Sequence, residues 1–443
     1  MTPSVGFVAL GCPKNVVDSE VMLSKIGQKG YIIGADPDQA DVVVINTCGF
    51  IEPAKEEALD AIRQAIKQKK KGLIRKIVVT GCLSQRMGAG LLEKLPEIDA
   101  IVGLEGRDSI DTVIDRVLAN QEGSEQNLSQ DEHTTVHDDR DRLLINPPHW
   151  AYLRISEGCD RRCSFCTIPA IRGRFRSKPI EMIVSEARQL AENGALELSL
   201  IAQDSNSYGR DLGLKNGLVR LIEELERIDG LTWIRLMYLY PAAVDDALIE
   251  IIADSKKVVH YVDMPVQHIN NDILRAMKRA DTREHTMELV EKLRAALPDV
   301  VLRTTVITGF PGETEREFEE LLEFIRWARF DALGAFPFYP EAGTAAAELP
   351  GQVDEATKIQ RRDAIMLAQQ EIAFAGADVM IGRELAVLVD EVYEARAGFG
   401  RYYGQAPHID NVCLIQNCTA DAGKFISARV TAREDYDLVV EPI

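Results

Sequence analysis

Short apolar runs rich in β-branched residues alternate with helical stretches twice over in this 443-residue chain. That rhythm leaves few folds open. Alternating strands and helices build a parallel sheet with helices on its faces, and function then collects at the C-terminal ends of the strands. In the first section the strand-like runs are Val5–Leu10, Val42–Ile45 and Ile77–Val79, with helical patterns such as Pro53–Lys70 between and after them. The predicted unit is an open parallel α/β domain over residues 1–119. The middle section repeats the pattern with six runs, at Ala151–Ile155, Glu197–Ile201, Trp233–Leu236, Val258–Met264, Val300–Ile307 and Ala332–Phe338. Six strand–helix units over 148–375 fit a partial (β/α)6 barrel as well as an open sheet.

Between these sections the composition changes. Asn120–Asp141 is rich in Gln, Glu, Ser, Asp and His and poor in apolar residues, and Pro147-Pro148 closes it. It reads as a linker or mobile loop over 120–147. After a long helical pattern, Asp354–Phe374, the last section (376–443) carries short β-rich runs at Glu384–Val389, Asn411–Leu414, Phe425–Val430 and Leu438–Val440. These predict a small antiparallel barrel of OB-fold size.

The cysteines sharpen this frame. Cys159, Cys163 and Cys166 form a C-x3-C-x2-C loop just past the strand Ala151–Ile155. Thiolates suit iron–sulfur clusters, zinc or copper. A structural zinc site takes four ligands, whereas three thiolates on a four-iron cluster leave one iron open to substrate. A zinc site completed by a distant residue and unrelated buried thiols are the other readings. Cys12, Cys48 and Cys82 each follow a predicted strand of the first section, 36 and 34 residues apart. One strand–helix–strand unit separates each pair, so the three converge on one crevice of a parallel sheet. They predict a second cluster site with an open position, against the alternative of three buried thiols. Cys413 and Cys418 read as small apolar side chains.

Other strand ends carry polar groups. Gln203 and Asp204 end the second barrel strand, Asp263–His268 the fourth, and Gly309, Gly312 and Glu313 the fifth. They can hold a polar cofactor or serve local turns. His268 alone reads as a hydrogen-bonded structural histidine. The Gly309–Gly312 turn lacks the Lys-Ser/Thr of a phosphate-cradling loop. Arg172, Arg174, Arg176 and Lys178 form the clearest basic run, read as a solvated loop rather than an anion clamp.

The net charge is −19. A chain that grips nucleic acid by its backbone carries a basic surface, so this balance favours a basic partner. Residues 376–443 hold six Lys/Arg against eleven Asp/Glu, which points the same way. No signal peptide and no membrane span are visible, and the expected location is the cytoplasm, where thiols stay reduced.

The Cys159–Cys166 loop, with Phe165 before its last cysteine, resembles the radical S-adenosylmethionine (SAM) signature. With three N-terminal cysteines and a C-terminal β domain, nearly the whole chain resembles the methylthiotransferases: an N-terminal methylthiotransferase domain, a radical SAM core and a TRAM domain. Leu10–Asn15, Ser156–Cys163, Ile171–Ser177 and Tyr402–Pro407 resemble the branch that modifies an aspartate of small-subunit ribosomal protein S-twelve. A sister branch methylthiolates an adenosine of transfer RNA.

The resemblance implies two 4Fe–4S clusters, on Cys159/Cys163/Cys166 and on Cys12/Cys48/Cys82, and two SAM molecules. One SAM would yield the radical that removes hydrogen from the aspartate β-carbon; the other would methylate the sulfur. Many radical SAM enzymes hold the SAM amino group with Gly-Gly-Glu, where this chain has Ala202-Gln203-Asp204. Implied SAM contacts are Phe165, Gln203, Asp204, Gly309, Gly312 and Glu313. The implied partners are the basic ribosomal protein, free or on the ribosome, and a cytoplasmic electron donor, with no membrane. The transfer-RNA enzyme and a non-enzymatic iron–sulfur carrier remain the alternatives at this point.

Overall fold

The computed structural model describes residues 2–120, 125–126, 136–393 and 396–443. Its first sheet is parallel throughout, in the order Ile32–Ala35, Ser4–Ala9, Val42–Thr47, Lys76–Gly81, Ala100–Val102 and Glu125–Gln126. The three strands expected from the sequence lie side by side in its middle. Both faces are covered: Val43 and Ile45 pack with Ile62 and Ile66 of the helix Glu52–Lys70. Val42 and Val44 pack with Met22 and Ile26 of the helix Pro13–Gln28. Two-sided burial explains the unbroken apolar run of Val42–Ile45. Ile32–Ala35 was not expected because it is partly exposed and carries Gly34. Ala100–Val102 has only three residues.

The second sheet holds the six expected strands, each within one residue of its predicted bounds. They are Trp150–Arg154, Glu197–Ile201, Trp233–Leu236, Val258–Asp263, Val301–Thr308 and Ala332–Pro337. Neighbours in the sheet are neighbours in the chain, all parallel, and the first and last strands do not pair. One-way winding with an open seam makes a partial barrel. Leu153, Leu198, Leu200, Ile234, Val262 and Leu302 face the surrounding helices.

The last domain is a closed five-stranded barrel in the order Glu384–Val392, Gly398–Arg401, Cys413–Ile415, Asp437–Pro442, Phe425–Glu434. It is not wholly antiparallel as expected: Cys413–Ile415 runs parallel to Asp437–Pro442. The glycine-rich strand Gly398–Arg401 has the composition of a turn and escaped the sequence reading. Cys413 and Cys418 are buried in its core. This domain closes one end of the partial barrel. Trp150, Tyr152, Trp233 and Tyr261 of the sheet's inner face share one apolar cluster with Leu388 and Ala406, and with Val17 of the first domain. Arg235 donates to the Tyr403 carbonyl at 2.7 Å, and Tyr261 donates to Asp410 at 2.7 Å.

The predicted linker falls partly outside the described residues, at 121–124 and 127–135. Its end is a buried tie. Asp139 is fully buried and accepts two hydrogen bonds from Arg154, at 2.6 and 2.9 Å. It also pairs with Arg107 at 2.7 Å and Lys178 at 2.5 Å. Arg142 pairs with Glu20 at 3.0 Å and Glu186 at 2.6 Å. The expected solvated basic run is corrected in part: Arg174 is exposed, but Arg172 and Lys178 are buried, because they pair with Asp18, Glu157, Asp139 and Glu186.

Burial alone would raise these carboxyls. Arg154, Lys178 and Arg107 overcome it at Asp139, and Arg154, Arg172 and Arg107 at Asp18, so both are held below the usual carboxylate range. Glu157, facing Arg172 and Arg154, is held at about 2. Carboxyls with folded values below their unfolded ones stabilise the fold above pH ~4, and that contribution is lost as pH falls through the folded values. Asp139→Asn leaves three buried cations short of a carboxylate. It should cost about 3–5 kcal/mol in denaturant unfolding at neutral pH, with a smaller difference from wild type below pH ~3 if the fold survives there.

Candidate functional site

Cys12, Cys48 and Cys82 come from the ends of three adjacent parallel strands. Cys12 is the N-cap of the helix Pro13–Gln28, Cys48 directly follows Val42–Thr47, and Cys82 opens the helix Cys82–Met87. Their approach depends on the glycine beside them. Gly11 has φ +95°, and a Cβ there would lie 2.9 Å from the Cys48 Cβ. Asn15 stitches the crevice: its amide donates to the carbonyls of Leu10 (2.9 Å) and Thr47 (3.0 Å), and its oxygen accepts from Arg172 at 2.7 Å. The Cys82 thiol lies 3.7 Å from the same oxygen.

The second triad sits on a loop held at both ends. Ser156–Glu157 pairs antiparallel with Arg176–Ser177 below it. Above, Ser164 bonds through its N–H to the Met277 carbonyl at 2.9 Å and through its hydroxyl to the Ala276 carbonyl at 2.7 Å. Cys159, Cys163 and Cys166 line a cavity of about 310 Å³ with Arg161, Pro169 and Thr344. A larger open groove of about 950 Å³ along helices Ile180–Glu192 and Gly217–Glu226 contains no cysteine.

Burial pushes the thiols of Cys82 and Cys166 up to about 12 and that of Cys159 to about 11. A metal ligand must be deprotonated, so iron has to displace these protons. Among the described residues no three Cys, His, Asp or Glu side chains focus on a single-ion site. A four-iron cluster is wider than one ion and takes thiolates from a more open ring.

Gln203 and Asp204 stand beside the second triad. Gln203 donates to Glu157 at 2.7 Å, and Asp204 accepts from Arg161 of the loop at 2.7 Å. Each keeps one buried oxygen without a hydrogen-bond partner, Gln203 Oε1 and Asp204 Oδ1. Two orphan acceptors next to a thiol-lined cavity fit a ligand bearing an ammonium group.

Phe165 packs edge-to-face on Phe310, ring centroids 6.5 Å apart, which ties the cysteine loop to the Gly309–Glu313 turn. That turn faces the long helix Glu355–Met380. A Cβ on Gly309 would lie 2.3 Å from the Lys358 Cγ. The buried Glu313 carboxylate accepts from the Gly309 N–H (2.9 Å) and Arg361 (2.8 Å). Its other oxygen lies 3.3 Å from His268 Nε2. His268 Nδ1 accepts from the Asn270 N–H at 3.0 Å. The structure thus gives His268 the hydrogen-bonded place expected of it. The Gly309 N–H and one Glu313 oxygen bond within and behind the turn, the other Glu313 oxygen is buried without a hydrogen-bond partner among the described residues, and the Gly312 N–H donates to the Gly351 carbonyl at 2.9 Å.

The two triads share one interface, and the sequence reading missed what joins them. Arg172 bonds Asn15 beside the first and Glu157 (3.0 Å) beside the second. Thr167, next to Cys166, donates to the Phe50 carbonyl near Cys48 at 3.3 Å. Buried Glu341 pairs with Arg86 (2.8 Å) and Lys55 (3.1 Å) across the same seam. The basic run around Arg172 was the one available signal.

Comparison with known proteins agrees with this layout. Residues 153–325 match the radical SAM superfamily, 4–103 the uncharacterized protein family UPF0004, and 381–443 the TRAM domain. Among curated relatives, the ribosomal protein uS12 methylthiotransferase RimO of Anaeromyxobacter sp. (strain K) is 45% identical, over 99% of this chain and 93% of that one. The protein of the same name from Clostridioides difficile (strain 630) is 41% identical over 98% of both chains. Among solved structures, the radical SAM methyltransferase TsrM from Kitasatospora setae, with cobalamin and a [4Fe-4S] cluster bound, aligns with a TM-score of 0.55. It is 16% identical and covers 78% of this chain and 77% of that one, a likeness of fold. No helix among the described residues is long and apolar enough to cross a membrane. On identity sustained over nearly its full length, the chain belongs to the ribosomal protein uS12 methylthiotransferase family of radical SAM enzymes.

Proposed function

We propose that this chain adds a methylthio group to the β-carbon of an aspartate in ribosomal protein uS12, using two 4Fe–4S clusters and two SAM molecules. The observation that carries the reading is the pairing of two thiol triads across one interface. Each lies at the C-terminal edge of its own parallel sheet, and Arg172 and Asn15 join them. A single-cluster electron carrier has no use for such a pair. The acidic C-terminal domain favours a basic protein over RNA as the substrate.

Cys159, Cys163 and Cys166 would hold the cluster that binds SAM, and Cys12, Cys48 and Cys82 the auxiliary one. When bound, these groups supply an electron, a hydrogen-abstracting radical and the methylthio sulfur. The chain's own residues orient and enclose. The orphan oxygens of Asp204 and Gln203 would accept from the SAM ammonium, and Phe165 would shape the adjoining wall. Arg161 holds Asp204 in place and lies over the Tyr240 ring, 4.0 Å from its centroid. The C-terminal domain plugs the far end of the barrel and keeps water from that side. The electron comes from a cytoplasmic reductant, and uS12 is met on the ribosome or free.

Reconstituted, reduced enzyme given SAM and uS12 should form 5′-deoxyadenosine, and uS12 should gain the mass of one methylthio group in place of a hydrogen. Mass gained by transfer RNA instead would move the chain to the sister activity; no 5′-deoxyadenosine at all would rule out the enzyme. Replacing Cys12, Cys48 and Cys82 together by Ala should remove about half the iron of anaerobically loaded protein. Unchanged iron would remove the auxiliary site. Asp204→Asn should raise the SAM concentration at half-maximal 5′-deoxyadenosine formation about tenfold, the scale of one charge-assisted hydrogen bond; an unchanged value would release Asp204 from that role.

A further inference from the structure

Nine lysines and arginines are buried among the described residues. Eight of them, Arg107, Arg154, Arg172, Lys178, Arg235, Lys358, Arg361 and Arg401, form ion pairs with carboxylates. The ninth is Lys14. It is 5% exposed, and among the described residues no carboxylate pairs with it. Its ammonium instead lies 3.4 Å from the centroid of the Tyr238 ring. A buried cation without an anion is costly, and an aromatic face offsets only part of that.

Its position suits a missing partner. Lys14 stands in the first turn of the helix capped by Cys12. Cys12, Arg172, Glu157 and Asp263 are the charged and ionisable groups around it. Those two carboxylates are engaged elsewhere. Glu157 pairs with Arg154 at 2.9 Å and Arg172 at 3.0 Å. Asp263 pairs with Arg303 at 2.7 Å and accepts from the Tyr238 N–H at 2.9 Å. That last bond helps hold Tyr238 at φ +61°, a conformation a bulky residue seldom adopts. Backbone strain is thus maintained where it sets the ring beneath the ammonium.

We propose that the Lys14 ammonium receives the side-chain carboxylate of the substrate aspartate and so selects aspartate over its amide. The inference rests on the methylthiotransferase reading above. The carbon to be modified is bonded directly to that carboxyl group. A cation at the seam of the two domains would therefore fix the reacting carbon between the two thiol triads. Lys14 is a specificity and positioning residue in this account. The rival account is that Lys14 only balances the charge of a cluster on Cys12, Cys48 and Cys82.

The test is equilibrium binding of uS12, and of uS12 with asparagine at the target position, to full-length enzyme loaded with both clusters. Wild type should prefer the aspartate form by about tenfold or more. Lys14→Gln should bring the ratio near one while still binding the asparagine form at wild-type strength, which also checks its fold. Lys14→Arg should restore much of the preference. A preference retained in Lys14→Gln, or absent in wild type, would overturn the proposal and leave the charge-balancing account. If Lys14→Gln binds neither form, Lys14→Arg decides: preference for aspartate supports the proposal, and equal binding of both forms overturns it. Failure of wild-type enzyme to methylthiolate uS12 is a separate result, which would overturn the functional reading and this inference with it.

Discussion

A buried array of alternating charges holds the two thiol triads in register. Asp18 of the first domain accepts from Arg154 of the barrel at 2.7 Å and from Arg107 at 3.0 Å. Asp139, on the segment between them, is bound by both of those arginines and by Lys178. Ion pairs withdrawn from water seldom add much net stability, but removing one member is expensive. Such an array therefore specifies one relative placement of the domains more than it glues them. A hydrophobic seam would tolerate sliding; a lattice of fixed donors and acceptors does not. The chemistry proposed here needs that exactness of placement, because two separate clusters must address one carbon.

The frame of the molecule was legible in the sequence because it rests on repetition. Buried parallel strands are rich in apolar residues, and all six barrel strands announced themselves by such short runs between helical stretches, even where Ser199, Arg235 or Arg303 interrupts them. The cysteines were legible for a related reason: a parallel sheet maps equal spacing in sequence onto one edge in space, so Cys12, Cys48 and Cys82 could be placed together before any coordinates.

What stayed hidden depends on long-range pairing. Asp139 lies in a polar stretch that looks solvated, and nothing local says that three cations await it. Arg172 was misread for the same reason, since its partners Asn15 and Glu157 come from two different domains. Lys14 is a single residue inside a motif and acquires meaning only when the Tyr238 ring is seen beneath it and the nearby carboxylates, Glu157 and Asp263, are seen paired with other cations. The parallel pairing in the C-terminal barrel joins strands too short to show their direction.

The plug at the end of the partial barrel bears on how the protein is made. Trp150, Tyr152, Trp233 and Tyr261 line the inner face of the sheet, yet Leu388, Ala406 and their neighbours, which cover them, follow the barrel strands in the chain and leave the ribosome after them. Domains generally fold in the order they are synthesised. During translation the central domain therefore carries an uncovered aromatic interior until the small barrel that follows it arrives. A chain stopped before Leu388 and Ala406 would leave that aromatic interior uncovered.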